Sequence, residues 1–500
     1  MSAWKFAFAL SKAEVHEAKP PGTAFLIREH ERNEGSSVEL IKVPHPSNDP
    51  ADPLNWPTWR KFAALLVASL FAFTGNFVSA SIAPALELLL FLGASNILWV
   101  PLSNIFGRRP VILFATLLMT FSTLWCGLAT SYNSLFAARI FQAIGGGASE
   151  TVAPTLVGEI FFMHERGRAM AIYTIFLAGG PIIGGIAGGY IGFTLGLKYI
   201  FWVGLALSGA CFLGTLFLVP ETLFDRKVVS PFANENLDDE KPGLTQIENS
   251  QSTETYEPYT YVRSLGFASP RGDWLKKFLR PWRTALLPGT WLVTLHYAGL
   301  VGGIISVSTI GPQLVGAPPY LWGKNVGLIN VGGLIGSLIG ALYAYAASDS
   351  RLKSTAKREH GAAEPESRLP TMFPTLAIAT CGFLVFGFCA DHPSKNAWVG
   401  LQVGYAMIAM GLMQVPSVGF NYLIDCYMHL ASDCFLIVTI LRAIIAFAWT
   451  FFISGWIEKR GAAEPFGVFG MLMGIFSLLT VPMWLLGKRM RIATANMVQP

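Results

Sequence analysis

The chain has 500 residues, of which 52% are hydrophobic and only 13% charged, where a soluble domain carries about 25% charged. Together with a mean hydropathy of +0.48, this places it in a lipid bilayer and not among soluble domains. The net charge of +5 is small and its Lys and Arg sit between apolar runs, so it reads as membrane topology and gives no sign of a nucleic-acid partner.

Residues 1–60 are polar and interrupted by Pro, Gly and acidic residues, and they are read as a cytoplasmic N-terminal tail. The stretch WKFAFAL near its start is too short for a signal peptide and contains Lys5. The tail closes on DPADPLNWPTWRK, whose prolines forbid a regular helix. Trp56, Trp59, Arg60 and Lys61 then form an interfacial anchor ahead of the first span.

Each span needs about 20 largely apolar residues. The first half, 61–220, accommodates them at 61–84, 86–104, 111–130, 134–156, 168–192 and 198–219. The first two leave almost no loop between them, so the first hairpin is abnormally short, and either strain or a partial second span is expected.

The fourth and fifth spans hold the most informative stretch. Arg139 and Glu150 are eleven residues apart, about three helical turns plus roughly 20°, which puts both on one face with Gln142 and Gly146 near the same line. Such a polar stripe should face a water-filled or protein-lined cavity and not lipid. Glu159 lies half a turn around from Glu150 and is expected to pair with Arg166 or Arg168. The fifth span carries Gly180, Pro181, Gly184, Gly185, Gly188 and Gly189; glycines four apart admit a neighbouring backbone, and Pro181 bends its own helix. We read the two spans as a pathway lining beside a conformational seam.

Residues 221–284 turn hydrophilic and read as a cytoplasmic linker, largely disordered across ENLDDEKPGLTQIENSQSTETYEP. Its end, DWLKKFLRPWR, suits either a helix lying on the membrane surface or a solvated tail. The second half, 285–487, offers spans at 285–313, 321–347, 371–390, 397–423, 434–457 and 466–487, followed by a cytoplasmic tail at 488–500. Basic residues concentrate in loops on one side, and the positive-inside rule makes both termini and the linker cytoplasmic, which requires an even number of spans. Twelve spans in two groups of six imply similar halves with substrate between them near the midplane.

Several motifs carry a resemblance at this point. VPLSNIFGRRP at 100–110 resembles the G-x-x-x-D-R-x-G-R-R gating loop of the major facilitator superfamily, keeping Gly107, Arg108 and Arg109 but with Asn104 for the acid and Ile105 for the first basic residue. RIFQAIGGG resembles the fourth-span R-x-x-Q-G element, AGGPIIGG the fifth-span antiporter element, and DPADPLNWPTWRK, VPETLFDR and GAAEPESRL other elements of the group. The chain therefore resembles the twelve-span drug:proton antiporters typical of fungi. The resemblance implies an all-α integral membrane protein with two six-helix bundles. It also implies that the fifth and eighth spans pack across the interface, so that Gly332, Gly336 and Gly340 would meet the fifth-span glycines there.

The expected function is proton-coupled efflux of small, fairly apolar molecules, xenobiotics or a secondary metabolite, by a monomer at the plasma membrane, with a role in drug resistance. Arg139, Gln142, Glu150, Arg442 and His296 are the candidates for proton coupling or the substrate pathway. Glu150 is the proposed proton carrier, and for the others a purely structural use is the competing reading. Trp291, Tyr297, Tyr405 and Tyr422 could stack on a flat substrate or simply pack, and Asp425 reads as structural at a helix end. Competing functions are an importer of a polyamine, cation or nutrient, and a non-transporting relic. An integral-membrane enzyme would need a catalytic constellation, but the eight histidines are scattered and the six cysteines form no C-x-x-C pair. No metal, cofactor or disulfide framework is expected.

Overall fold

The structure is a computed structural model that describes residues 3–30, 37–80, 86–224, 260–266, 272–359 and 361–498. Among these residues, nine helical runs are long and apolar enough to cross a membrane. One of them, Ala397–Arg460, turns back at Met428–Leu430 and supplies two spans. The second and fourth spans are broken helices that complete twelve: Leu86–Ala94 with Asn96–Phe106, and Tyr132–Gly147 with Val152–Ile160. The linker segment expected to be disordered lies outside the described residues. The basic amphipathic stretch after it forms the helix Trp274–Thr284.

The first hairpin resolves the tension seen in the sequence. Thr58–Ala80 is the first span, and the second needs only the twenty helical residues of its two pieces, about 30 Å at 1.5 Å per residue. The break at Ser95 frees backbone carbonyls that side chains then satisfy: Ser95 Oγ (2.9 Å) and Asn96 Nδ2 (3.1 Å) both donate to Leu92 O. Close packing holds this span in place. A Cβ at Gly93 would lie 2.5 Å from Ala443 Cβ on the eleventh span, and one at Gly147 would lie 2.6 Å from Leu92 O, so the second span is wedged between the fourth and eleventh.

The fifth and eighth spans do pack against each other across the halves, but most of their stripe glycines face a neighbour in their own half instead of that seam, which corrects the expectation that the stripes meet there. Gly180 and Gly184 face Phe73 O and Phe77 O of the first span (2.5 and 2.6 Å from an added Cβ). Gly332, Gly336 and Gly340 face the backbone of Gln402, Ala406 and Met410 on the tenth span. The fifth and eighth spans meet across the halves at both ends, through Gly167 and Arg168 against Asp349 at one and through Gly185 against Asn330 (2.7 Å) and Gly189 against Gly327 Cα (3.2 Å) at the other. A four-residue stripe announces that some backbone comes close, and in a bundle the nearest one belongs to a neighbour in the same half.

The N-terminal leader is tied to both halves. Ala24 and Phe25 pair antiparallel with Ala363 and Ala362 of the loop between the eighth and ninth spans, and Leu26 is buried beside Met163, Leu352 and Ala356. Farther on, Val43 O accepts from Met163 N (2.8 Å) at the start of the fifth span, and Lys61 Nζ donates to Leu54 O (2.9 Å). The helix Ala3–Ala9 is held by Arg489 of the last span, which donates to Ala7, Phe8 and Leu10 carbonyls.

Candidate functional site

At the end of the molecule that carries both termini, buried ion pairs close the seam between the halves. Asp425 of the tenth span sits between two guanidinia, accepting from Arg166 of the fifth span and from Arg368 Nε (3.0 Å). Arg368 also donates to Asp349 Oδ1 (3.2 Å) and to Met163 O (2.9 Å), while Asp349 Oδ2 accepts from Arg168 N (3.0 Å). Two arginines and two aspartates thus form a neutral cluster, the condition under which buried charge is tolerated. Asp425 joins the two halves, and its position at a helix end gave no sign of that in the sequence.

The loop between the second and third spans is the second tie. Gly107 has φ of +105°, and any side chain there would run into the Glu221 carboxylate, which accepts the backbone N–H of Arg108 (2.8 Å) and Arg109 (3.2 Å). The Arg108 guanidinium spans Glu159 Oε1 (3.0 and 3.1 Å), Ser103 Oγ (2.7 Å) and Asn104 Oδ1 (2.6 Å). Glu159 therefore pairs with Arg108, not with Arg166 or Arg168 as expected, because Arg166 is turned toward Asp425 across the seam. Asn104, standing where the family loop has an acid, donates to Asp433 Oδ1 of the eleventh span (3.2 Å), and Asp433 also accepts from Arg280 (2.5 Å). The charges missing from the loop are supplied by the other half and by the linker helix.

The acidic motif of the loop after the eighth span makes a third, within-half tie. Glu366 and Glu364 accept from Arg491 at 2.7–2.8 and 2.5 Å, and Glu364 also meets Lys488 (2.8 Å) and Thr23 of the leader (3.1 Å). Burial alone would raise the Glu364 carboxyl, but Arg491 and Lys488 outweigh it and hold the group below its ordinary value.

At the opposite end the halves part around a cavity of about 820 Å³. Its walls are mostly apolar and include Leu177, Ala178, Pro181, Val301 and Ile304, and it reaches the surface beside Phe193, Leu197 and Lys324. Glu150 and Arg442 lie in it together: Arg442 of the eleventh span donates to Glu150 Oε2 of the fourth, and the guanidinium stands 4.7 Å from the ring centroid of Tyr297. Both are buried, at 4% and 7% exposure. An ion pair here joins the two halves at the wall of the cavity.

The remaining sequence candidates lie elsewhere. Arg139 donates to Val78 O and Ser79 O (both 3.1 Å) at the end of the first span. Gln142 donates to Thr123 Oγ1 (2.7 Å) inside the first half. Neither is among the described cavity walls. The helical face drawn from Arg139 to Glu150 is interrupted because the α-helix ends at Gly147 and Ala148–Glu150 is a 3₁₀ turn, in which each residue advances about 120° and not 100°. His296 Nε2 contacts Phe476 O (2.9 Å) and Thr480 (3.2 Å), a packing contact within the second half. Of the aromatic candidates only Tyr297 lines the cavity. The sequence reading missed Asn76 and Asn330, polar residues on the cavity wall at opposite halves, which stood in apolar runs without a motif around them.

Two bundles of six spans, latched at one end and parted around a cavity at the other, define a membrane transporter of the two-bundle class. Residues 54–430 match the sequence model of the Major Facilitator Superfamily, and the chain belongs to that family. It is 25% identical to an uncharacterised MFS-type transporter of Schizosaccharomyces pombe, over 95% of this chain and 93% of that one. It is 24% identical to the efflux pump FUBT of Fusarium oxysporum (84% of this chain, 71% of that one) and 25% identical to the citrinin biosynthesis cluster MFS transporter mrr1 of Monascus ruber (89% and 90%). Among solved structures, the proton:xylose symporter XylE superposes with a TM-score of 0.57 at 14% identity, covering 86% of this chain and 96% of that one, which speaks to the fold alone.

Proposed function

We propose that this protein is a proton-driven exporter of small, fairly apolar molecules, xenobiotics or a secondary metabolite, working as a monomer at the plasma membrane by alternating access. The observation that carries the reading is the Glu150–Arg442 pair, an acid–base tie between the halves set in a mostly apolar cavity. The similarity to an efflux pump and to a transporter of a biosynthesis cluster supports the direction and the kind of solute. The basic loops put the latched end in the cytoplasm, so the cavity opens outward.

In this cycle a proton enters through the cavity and neutralises the Glu150 carboxylate. Arg442 loses its partner, the halves rock about the substrate site, and the cytoplasmic latches at Asp425 and Asp433 release. The proton leaves to the cytoplasm, substrate takes the site, and the restored carboxylate draws Arg442 back as the outward-open form returns. Arg139 and Gln142 support the first half, and Gly185 and Gly189 let the fifth span move against the eighth. The test is Glu150→Gln in reconstituted vesicles under an inward proton gradient. Proton-coupled export is expected to be abolished, and coupling that survives removes Glu150 from the mechanism.

A further inference from the structure

The chemistry of the Glu150–Arg442 pair constrains which solutes an exporter built on it can carry, an argument that rests on the exporter reading above. Effects of proton and substrate on each other's binding are reciprocal. Exchange of one for the other requires that each weaken the other's binding. A solute that takes Arg442 away from Glu150 does the opposite: it leaves a lone carboxylate that welcomes a proton, so the two bind together and travel together. An anion is such a solute, and it would be imported.

A solute that donates a hydrogen bond to Glu150 behaves differently. Protonation strips the charge from the acceptor and leaves only a weaker, neutral carbonyl oxygen, so the bound donor opposes protonation and protonation loosens the donor. An ionised carboxylate offers about four lone-pair sites. Among the described residues Glu150 accepts one hydrogen bond, from Arg442 to Oε2. The Arg442 charge is balanced by Glu150 on one edge and covered by Tyr297 on one face, and its unpartnered Nε is buried out of a solute's reach. A cation fares no better than an anion. Glu150 is the sole carboxylate among the described cavity walls, against two cations there, Arg442 and Lys324. The groups facing Glu150 from the packed spans are Arg442, Tyr297 of the seventh span and Tyr173 of the fifth, whose hydroxyl already donates to Ser149 O (2.7 Å). Among the described cavity walls no further acid shares the load.

We propose that the substrate is an uncharged molecule with an apolar frame and a hydroxyl or amide N–H that donates to the Glu150 carboxylate, and that organic anions and cations are not exported. Asn76 and Asn330, one from each half, offer amide groups to the remainder of the solute.

The experiment is calorimetric titration of the full chain in lipid nanodiscs with one scaffold in five forms: 2-(1-naphthyl)ethanol, 1-naphthylacetamide, 1-ethylnaphthalene, 1-naphthylacetate and 2-(1-naphthyl)ethylammonium. The alcohol or the amide, the two arms separating the donor types, is expected to bind about 10-fold tighter than ethylnaphthalene, the scale of a hydrogen bond to a charged group. Its affinity should rise with pH, and titrations in buffers of different ionisation heat should register proton release. Glu150→Gln, whose amide oxygen still accepts but carries no charge, should cut the 10-fold advantage to about 3-fold or less and abolish its pH dependence, while leaving ethylnaphthalene within about 2-fold, which also reports that the variant is folded. The proton-release measurement on the unmodified chain stands even if that variant does not fold. Equal binding of ethylnaphthalene, an advantage that keeps its full size and pH dependence in Glu150→Gln, naphthylacetate or the ammonium as the tightest ligand, or failure of all five to bind overturns the assignment. Vesicles that export nothing against an inward proton gradient remove the exporter reading and leave the binding result standing, whereas gradient-driven export alongside failed binding removes only the substrate assignment.

Discussion

The two ends of the interface between the halves are held by different physics. At the latched end the ties are buried charges: Asp425 between Arg166 and Arg368, and Asp433 with Asn104 and Arg280. At the cavity end the fifth and eighth spans touch through glycine, Gly185 against Asn330 and Gly189 against Gly327. A buried ion pair is strongly directional, and losing one partner leaves the other charge stranded, so such a latch is either made or broken. Glycine contacts lose little when helices slide past each other. In the proposed cycle one end would therefore act as a two-position catch and the other as a bearing.

Asp425→Asn tests that contrast most severely. It leaves Arg166 and Arg368 sharing the remaining acid, Asp349, and should cost the latched form about 3–5 kcal/mol. The neighbouring Cys426, which is buried, should become reactive toward a thiol reagent, read peptide by peptide by mass spectrometry. Gly336→Ala should cost less, about 1–3 kcal/mol, because its methyl would overlap the Ala406 carbonyl within one half. It should lower the melting temperature in detergent without making Cys426 more reactive, and a rise in reactivity would mean that this stripe belongs to the seam after all.

The smallest expected effect is the pH response of the Glu364 cluster. Since Arg491 and Lys488 hold the Glu364 carboxyl below its ordinary 4.5, its contribution to stability is full above that pH. It is lost as pH falls through the depressed folded value. Limited proteolysis of the leader, whose Thr23 bonds to Glu364, should accelerate on acidification below pH 4.5, and Glu364→Gln should flatten the response.

Much of this molecule was legible in its sequence because bilayer thickness leaves little choice: twelve apolar runs near the span length became twelve spans, most ends shifted by a few residues, while the helices of the eighth and twelfth run on to Arg358 and Val498. The site was legible only in its members. Glu150 and Arg442 could each be named as costly charges in hydrocarbon, but they are 292 positions apart and nothing local joins them. Arg139 bears the same costly charge and is satisfied by two carbonyls of the first span, an outcome that periodicity cannot separate from a place in the cavity. The glycine stripes foretold close backbones and not whose. Glu159 was assigned to the nearest basic residues in sequence, whereas the loop turn at Gly107 delivers Arg108 to it.

The leader is stitched by Ala24 and Leu26 to the second half and by Val43 to the first, directly over the catch. In the proposed cycle, parting the halves at that end would therefore pull on the moorings at Ala24, Leu26 and Val43. These moorings would then be a seat belt across the parts that move, and cutting one of them should register in how far the halves can swing.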